Sequence, residues 1–207
     1  MSLIRVGLTG GIASGKSTVC DMLRKKGCHI IDSDEVAHEL IRRGRCCYDP
    51  VIDKFGRDVL DSSGEIDRKK IGAIVFENKT QLEILNSILH PEVIRAILSS
   101  LTELEKVKRN PRIIVEASLM IESGFHKSFQ RLILITCAPE QQIERLMTRN
   151  GLSPEQSRRR ITLQIPMSEK FRYADFVIDN SRSLEETQVQ VNQLFRNLEE
   201  KVWQTSP

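Results

Sequence analysis

Short apolar runs alternate with stretches of helical periodicity along most of the chain, and the alternation breaks once. Leu3-Ile4-Arg5-Val6-Gly7-Leu8 is mostly apolar, the pattern of a parallel strand covered on both faces. Val19, Met22 and Leu23 then recur at helical spacing from Thr18 to Lys26, and Gly27 stands where a helix stops. Cys28-His29-Ile30-Ile31-Asp32 reads as a second strand, and Glu35 to Arg43 as a helix with Ala37, Leu40 and Ile41 on one face. Residues 44–110 offer no convincing strand. Asp49-Pro50 opens a helix with Val51, Ile52 and Phe55, Asp61-Ser62-Ser63-Gly64 is a turn cluster, and amphipathic helices are expected over Asp67 to Phe76 and Thr80 to Leu89. Leu89-His90-Pro91 punctuates them, and Pro91 at N1 is expected to begin a separate helix carrying Val93, Ile94, Ile97, Leu98 and Leu101.

From Pro111 the alternation resumes. Arg112 to Glu116 and the uniformly apolar Leu132 to Thr136 read as strands, and Ala138-Pro139 starts a helix holding Ile143, Leu146 and Met147. Ser153-Pro154-Glu155-Gln156 is a capping box with proline at N1. Phe176 to Asp179 is a fifth strand, and Glu185 to Trp203 a terminal helix with Val189, Val191, Leu194, Leu198 and Val202 as its apolar positions. Five strands alternating with helices predict a three-layer α/β domain around a five-stranded parallel sheet with right-handed crossovers.

The loop after the first strand carries the chemistry. Gly10 to Ser17 fits G-x-x-x-x-G-K-[ST], the phosphate-binding P-loop, with a strand before it and a helix after it as that motif requires. Gly10, Gly11 and Gly15 let backbone approach phosphate oxygens closely. Successive N–H groups from Gly11, Ile12, Ala13, Ser14, Gly15, Lys16, Ser17 and Thr18, with the helix N-terminus behind them, would aim partial positive charge at an anion. Lys16 can reach the β- and γ-phosphates of ATP, and the Ser17 hydroxyl is placed to ligand Mg²⁺. The fold expected is thus a P-loop NTPase over residues 1–207. Its core would take residues 1–35, 110–145 and 173–207, a helical substrate lobe residues 36–109, and a helical lid residues 146–172.

Composition excludes more than it adds. The 207 residues are 40% hydrophobic and 29% charged, ordinary for a globular domain, and no apolar run reaches the length of a membrane span. The strand and loop begin so early that no secretory segment is expected, which makes the cytoplasm the expected compartment. Cys20, Cys28, Cys46, Cys47 and Cys137 are an odd number without C-x-x-C spacing, so zinc and a disulfide framework are both poorly supported. A net charge of +3 and few aromatics argue against nucleic acid.

Charge is concentrated from Gln142 to Arg172, where Arg145, Arg149, Arg158, Arg159, Arg160, Lys170 and Arg172 outnumber Glu144, Glu155 and Glu169. A basic helical hairpin suits a lid over triphosphate; a solvated basic face is the plainer reading. Asp32 ends the second strand, where ligands of open α/β sheets sit. Its plainer role is a helix N-cap, for which Ser33 and Asp34 are equally suitable. His90 could contact a substrate or merely cap the helix begun by Pro91.

The sequence resembles the dephospho-CoA kinase family over almost its whole length. The likeness runs through Leu8-Thr9-Gly10-Gly11-Ile12 and Ser14 to Thr18, Ile31-Asp32 with Asp34 and Ala37-His38, Phe55-Gly56, and Gly64-Glu65-Ile66-Asp67-Arg68. It continues through Phe76, Leu89-His90-Pro91, Arg145, Arg149, Gln164 and Ala174 to Asn180. The resemblance implies a monomeric or weakly self-associating enzyme that binds ATP, Mg²⁺ and dephospho-CoA. It makes Asp32 the catalytic base, with Lys16 and Arg145 on the transferring phosphoryl group. Thr9, Asp32, His90 and Arg149 become substrate contacts, Asn180 an ATP contact, and the Asp179-Asn180 loop an adenine contact. The sequence departs from the family at Ala13, usually glycine and tolerable at negative φ, and at Glu116-Ala117-Ser118-Leu119-Met120-Ile121-Glu122, which keeps the acidic ends and loses a proline.

A GTPase switch is the rival from another class, since Asp61 to Gly64 matches D-x-x-G and Asn78-Lys79 begins N-K-x-D. Too short an apolar run precedes Asp61, and Gln81 stands where an aspartate must read guanine. A different small-metabolite kinase and a nucleotide-binding scaffold without turnover are the other readings. Lys16, Ser17 and Asp32 weigh against the scaffold.

Overall fold

Runs of Val, Ile and Leu with no polar interruption become strands, and the computed structural model, which describes residues 5–107 and 112–200, has them in the expected order. They are β1 (Val6–Gly10), β2 (His29–Asp32), β3 (Ile113–Glu116), β4 (Arg131–Thr136) and β5 (Phe176–Asp179), ordered β2-β3-β1-β4-β5 in one sheet. β1 pairs in parallel with β3 and β4, and β4 in parallel with β5. Leu3, Ile4, Pro111, Val202 and Trp203, included in the expected elements, lie outside the described residues. The three central strands are buried almost throughout, while β2 and β5 at the edges are only partly covered. That gradient is why the central strands read as unbroken apolar runs.

Helices α1 (Lys16–Lys25) and α9 (Leu184–Glu200) supply Val19, Cys20, Leu23, Val191 and Leu194 to a layer with Val6, Leu8, Ile114, Ile133, Ile135 and Ile178 of the sheet. α6 (Pro139–Asn150), α7 (Pro154–Thr162) and the short α8 (Met167–Lys170) follow β4. The capping box of α7 forms as the sequence predicts, Ser153 and Gln156 bonding reciprocally. These elements belong to one compact unit, Met1–Ile31 with Glu105–Pro207.

A second unit, Asp32–Leu104, holds α2 (Ser33–Leu40), α3 (Tyr48–Phe55), α4 (Arg68–Glu77) and most of α5 (Lys79–Val107). Its own core joins Ile41, Cys47, Tyr48, Val51, Ile66, Ile71 and Val75, with Leu82, Leu85, Ile88 and Leu89 of α5 packed against it. Here a sequence expectation fails. Pro91 does not start a helix; it lies inside α5, which is continuous for 29 residues. An internal proline costs about 3 kcal/mol. Val93, Ile97 and Leu101 beyond it are buried, and each such side chain contributes ~1.5–3 kcal/mol, so the apolar stripe outweighs the break. The cysteines are all free, and the vicinal pair stands with Sγ atoms 3.9 Å apart. Burial and the neighbouring Cys46 push the Cys47 thiol up to about 12, which leaves it unreactive. No helix among the described residues is long and apolar enough to cross a membrane.

Candidate active site

The chain leaves β1 at Gly10 and turns back before α1, with the Ser14 N–H donating to the Gly11 carbonyl at 3.1 Å. Gly15 takes φ +94°, and a Cβ there would collide with the Asn180 amide, so the position requires glycine. Ala13 lies in the left-handed region too, at φ 58°. The condition under which alanine would be comfortable, a negative φ, is not met. The Cβ makes it a strained residue, by about 1 kcal/mol.

No side chain caps α1, whereas Asp32, Asp67 and Ser153 cap α2, α4 and α7. The N-terminal N–H groups of α1 and the positive end of its dipole therefore face the loop, an arrangement suited to phosphate. Lys16 opens the helix, its ammonium 3.4 Å from the Gly11 carbonyl, 3.5 Å from that of Gly10 and 3.8 Å from Glu116 Oε1. The Ser14 hydroxyl is buried without a hydrogen-bond partner, and Ser17 is exposed beside it. Glu116, from the end of β3, is a neighbour of Lys16 that motif reasoning missed. Its position closing the strand next to β1 was the available clue.

The loop is gripped from outside. Ile12 donates its N–H to Gln164 Oε1 and accepts from Gln142 Nε2, both at 2.8 Å. Arg145 donates to the carbonyls of Ala13 at 3.4 Å and Ser14 at 3.3 Å, and to that of Asn180 at 3.1 Å. Arg145 thus lies against the P-loop backbone. Gln142 carried no motif and was not foreseen.

The other expected contacts stand as follows. The Asn180 amide donates to the Ser14 carbonyl at 2.9 Å and its Oδ1 accepts from Thr187, so the side chain braces the loop and keeps one N–H and one lone pair outside these bonds. The Thr9 hydroxyl is fully buried and donates to the Ala117 carbonyl at 2.7 Å, tying strand ends together. Arg149, one turn beyond Arg145, is exposed and bonds Asn150. His90 is half-buried within α5, so it does not stand at a helix start.

Asp32 is the N-cap of α2. Its Oδ1 accepts from Asp34 N–H at 2.8 Å and Glu35 N–H at 3.3 Å, while Ser33 and Asp34 lie inside the helix. The extended backbone at Asp32 (φ −91°, ψ 116°) selects it over the two later candidates. The cap engages one oxygen and leaves Oδ2 outside it. The GTPase-like pieces are local chemistry as well: Asp61 Oδ1 closes a turn onto Ser63 and Glu65, and Asn78 Oδ1 accepts from Gln81 N–H at the start of α5.

A parallel sheet whose first strand ends in an uncapped, lysine-bearing glycine loop defines a P-loop phosphotransferase of the small-kinase type. The fold is shared with shikimate kinase from Acinetobacter baumannii in complex with shikimate, at TM-score 0.56 and 14% identity, over 98% of this chain and 97% of that one. The family model for dephospho-CoA kinase matches residues 4–186, and the chain belongs to that family. The dephospho-CoA kinase of Carboxydothermus hydrogenoformans is 41% identical over 198 residues, 96% of each chain. A solved dephospho-CoA kinase from Campylobacter jejuni superposes with TM-score 0.70 at 30% identity, over 95% of this chain and 98% of that one.

Proposed function

We propose that the protein transfers the γ-phosphoryl group of ATP to the ribose 3′-hydroxyl of dephospho-CoA, giving coenzyme A and ADP. The observation that carries this reading is the uncapped N-terminus of α1 behind Gly15, with Lys16 at its first position, in a chain of this family. Lys16 exchanges the Gly10 and Gly11 carbonyls for phosphate oxygens, a stronger, charge-assisted partner. The loop N–H groups from Ala13 to Thr18 orient the phosphates, and Arg145 adds positive charge from the Ala13–Ser14 side. Asp32 accepts or orients the 3′-hydroxyl proton through Oδ2 while Oδ1 continues to cap α2. His90 and Arg149 contact the acceptor, and the Asp179-Asn180 loop contacts adenine.

The donors present fit Mg²⁺. Ser17 offers an exposed hard oxygen, and among the described residues no group of three or more His, Cys, Asp and Glu side chains makes a metal cage, so the remaining ligands come from phosphates and water. When bound, the ion neutralises charge on the phosphate oxygens. Residues 146–172 close over the triphosphate and exclude water, which otherwise competes as acceptor.

A coupled ADP-release assay tests the assignment, with dephospho-CoA set against AMP, adenosine, shikimate and gluconate. Turnover is expected with dephospho-CoA and ATP. Preference for another acceptor would reassign the substrate, and preference for GTP would revive the switch reading.

A further inference from the structure

Ile12 is the loop residue held at both its N–H and its carbonyl by side chains, Gln164 and Gln142. It directly precedes Ala13, the left-handed alanine, and such strain persists only where the surroundings over-determine the backbone. Gln164 is itself held through its neighbour. The Ile165 N–H donates to Glu122 Oε1 at 3.2 Å, and the same oxygen receives the Lys170 ammonium at 2.8 Å. Lys170 is 1% exposed, and Glu122 Oε2 is buried without a partner. Burial pushes the Lys170 ammonium below the usual lysine range, with Glu122 opposing and Lys16 adding to that shift. Breaking even with desolvation is the usual fate of such a pair, so stability alone does not account for it. What the pair supplies is position: it pins the segment from Ile165 to Lys170 beside the strand end, and Gln164 is carried with it.

We propose that the Glu122–Lys170 pair sets Gln164 against the Ile12 N–H, and that Gln164 is a positioning residue for phosphoryl transfer, fixing the peptide from which the phosphate-facing N–H groups take their direction. This rests on the kinase reading. Small misplacement of a positioning group is enough to cost up to about 10²-fold in rate, whereas the rest of the loop and Lys16 continue to bind ATP.

The test uses the full chain and begins with turnover of dephospho-CoA by the unaltered protein; failure there sinks the kinase reading and leaves the latch to be judged by amide exchange. Gln164→Ala is expected to lower kcat roughly tenfold or more with KM for ATP changed less than about threefold. Glu122→Gln with Lys170→Met keeps an acceptor for Ile165 and removes the ion pair; its kcat should fall likewise. Combining all three substitutions should be no worse than the weaker parent, within about twofold, because the residues act in series. The Ile12 amide should exchange faster in each variant than in the unaltered protein. Unchanged kcat and unchanged Ile12 exchange in Gln164→Ala overturn the proposal, and so do multiplicative losses in the combination. If the pair variant does not fold, Gln164→Ala decides alone.

Discussion

Two helix N-termini in this molecule face opposite tasks. α1 begins at a left-handed glycine with no capping side chain, and α2 begins at an aspartate whose carboxylate takes the first free N–H groups. The same orphan donors exist in both helices. In α2 two of them are satisfied inside the protein, at the expense of one carboxylate oxygen. In α1 they are left to an anion, and the protein invests elsewhere: Gln142, Gln164, Arg145 and Asn180 hold the loop's carbonyls and one N–H so that the remaining N–H groups keep their direction. α3, α6 and α8 lack a capping side chain too, so what sets α1 apart is the bracing of the turn before it.

The contrast can be broken most severely at Asp32. Asp32→Asn keeps the cap, since asparagine serves as well, and removes the negative charge. Melting temperature should hold while turnover falls ~10²–10⁴-fold, the usual range for general acid–base help. Normal turnover would make Asp32 a cap and nothing more. Lys16→Ala should cost roughly 10²-fold in turnover, with the fold intact by circular dichroism. A well-folded, fully active variant would remove the loop from the mechanism. Asp67→Ala deletes a cap of the α2 kind at α4 and should lower stability by about 1 kcal/mol in chemical denaturation without altering kcat. Altered kcat there would mean that caps and catalysis are not separable. Smallest of all, Ala13→Gly relieves the left-handed strain but loosens the unfolded chain, so a net gain of only a few tenths of a kcal/mol is expected by the same measurement. A clear loss would show the alanine to be packed and not merely tolerated.

The strand–loop–helix around Lys16 was legible in the sequence because three independent patterns coincide there: an apolar run, a spaced glycine set and helical periodicity. Pro91 was misread because a local rule with a known cost was weighed without the buried stripe on either side of it. At Asp32, Ser33 and Asp34 three good caps stand in a row, and only the backbone angles choose among them. The grip on Ile12 was invisible for a different reason. Glutamines have no periodic signature, and Gln142 and Gln164 lie 130 and 152 positions from their partner.

The central place of β1 in the sheet sets an order of events during synthesis. Val6 pairs with Ile114 on one side and with Arg131 on the other, so the strand bearing the nucleotide loop has neither neighbour until about a hundred further residues have been made. At ribosomal rates of roughly 5–20 residues per second that interval is on the order of ten seconds. Throughout it the apolar β1 has no sheet to join, while the helical unit of residues 32–104, whose contacts are nearer in sequence, can already collapse on its own core. The strand that leads into the phosphate loop is therefore among the last to find its neighbours in the sheet.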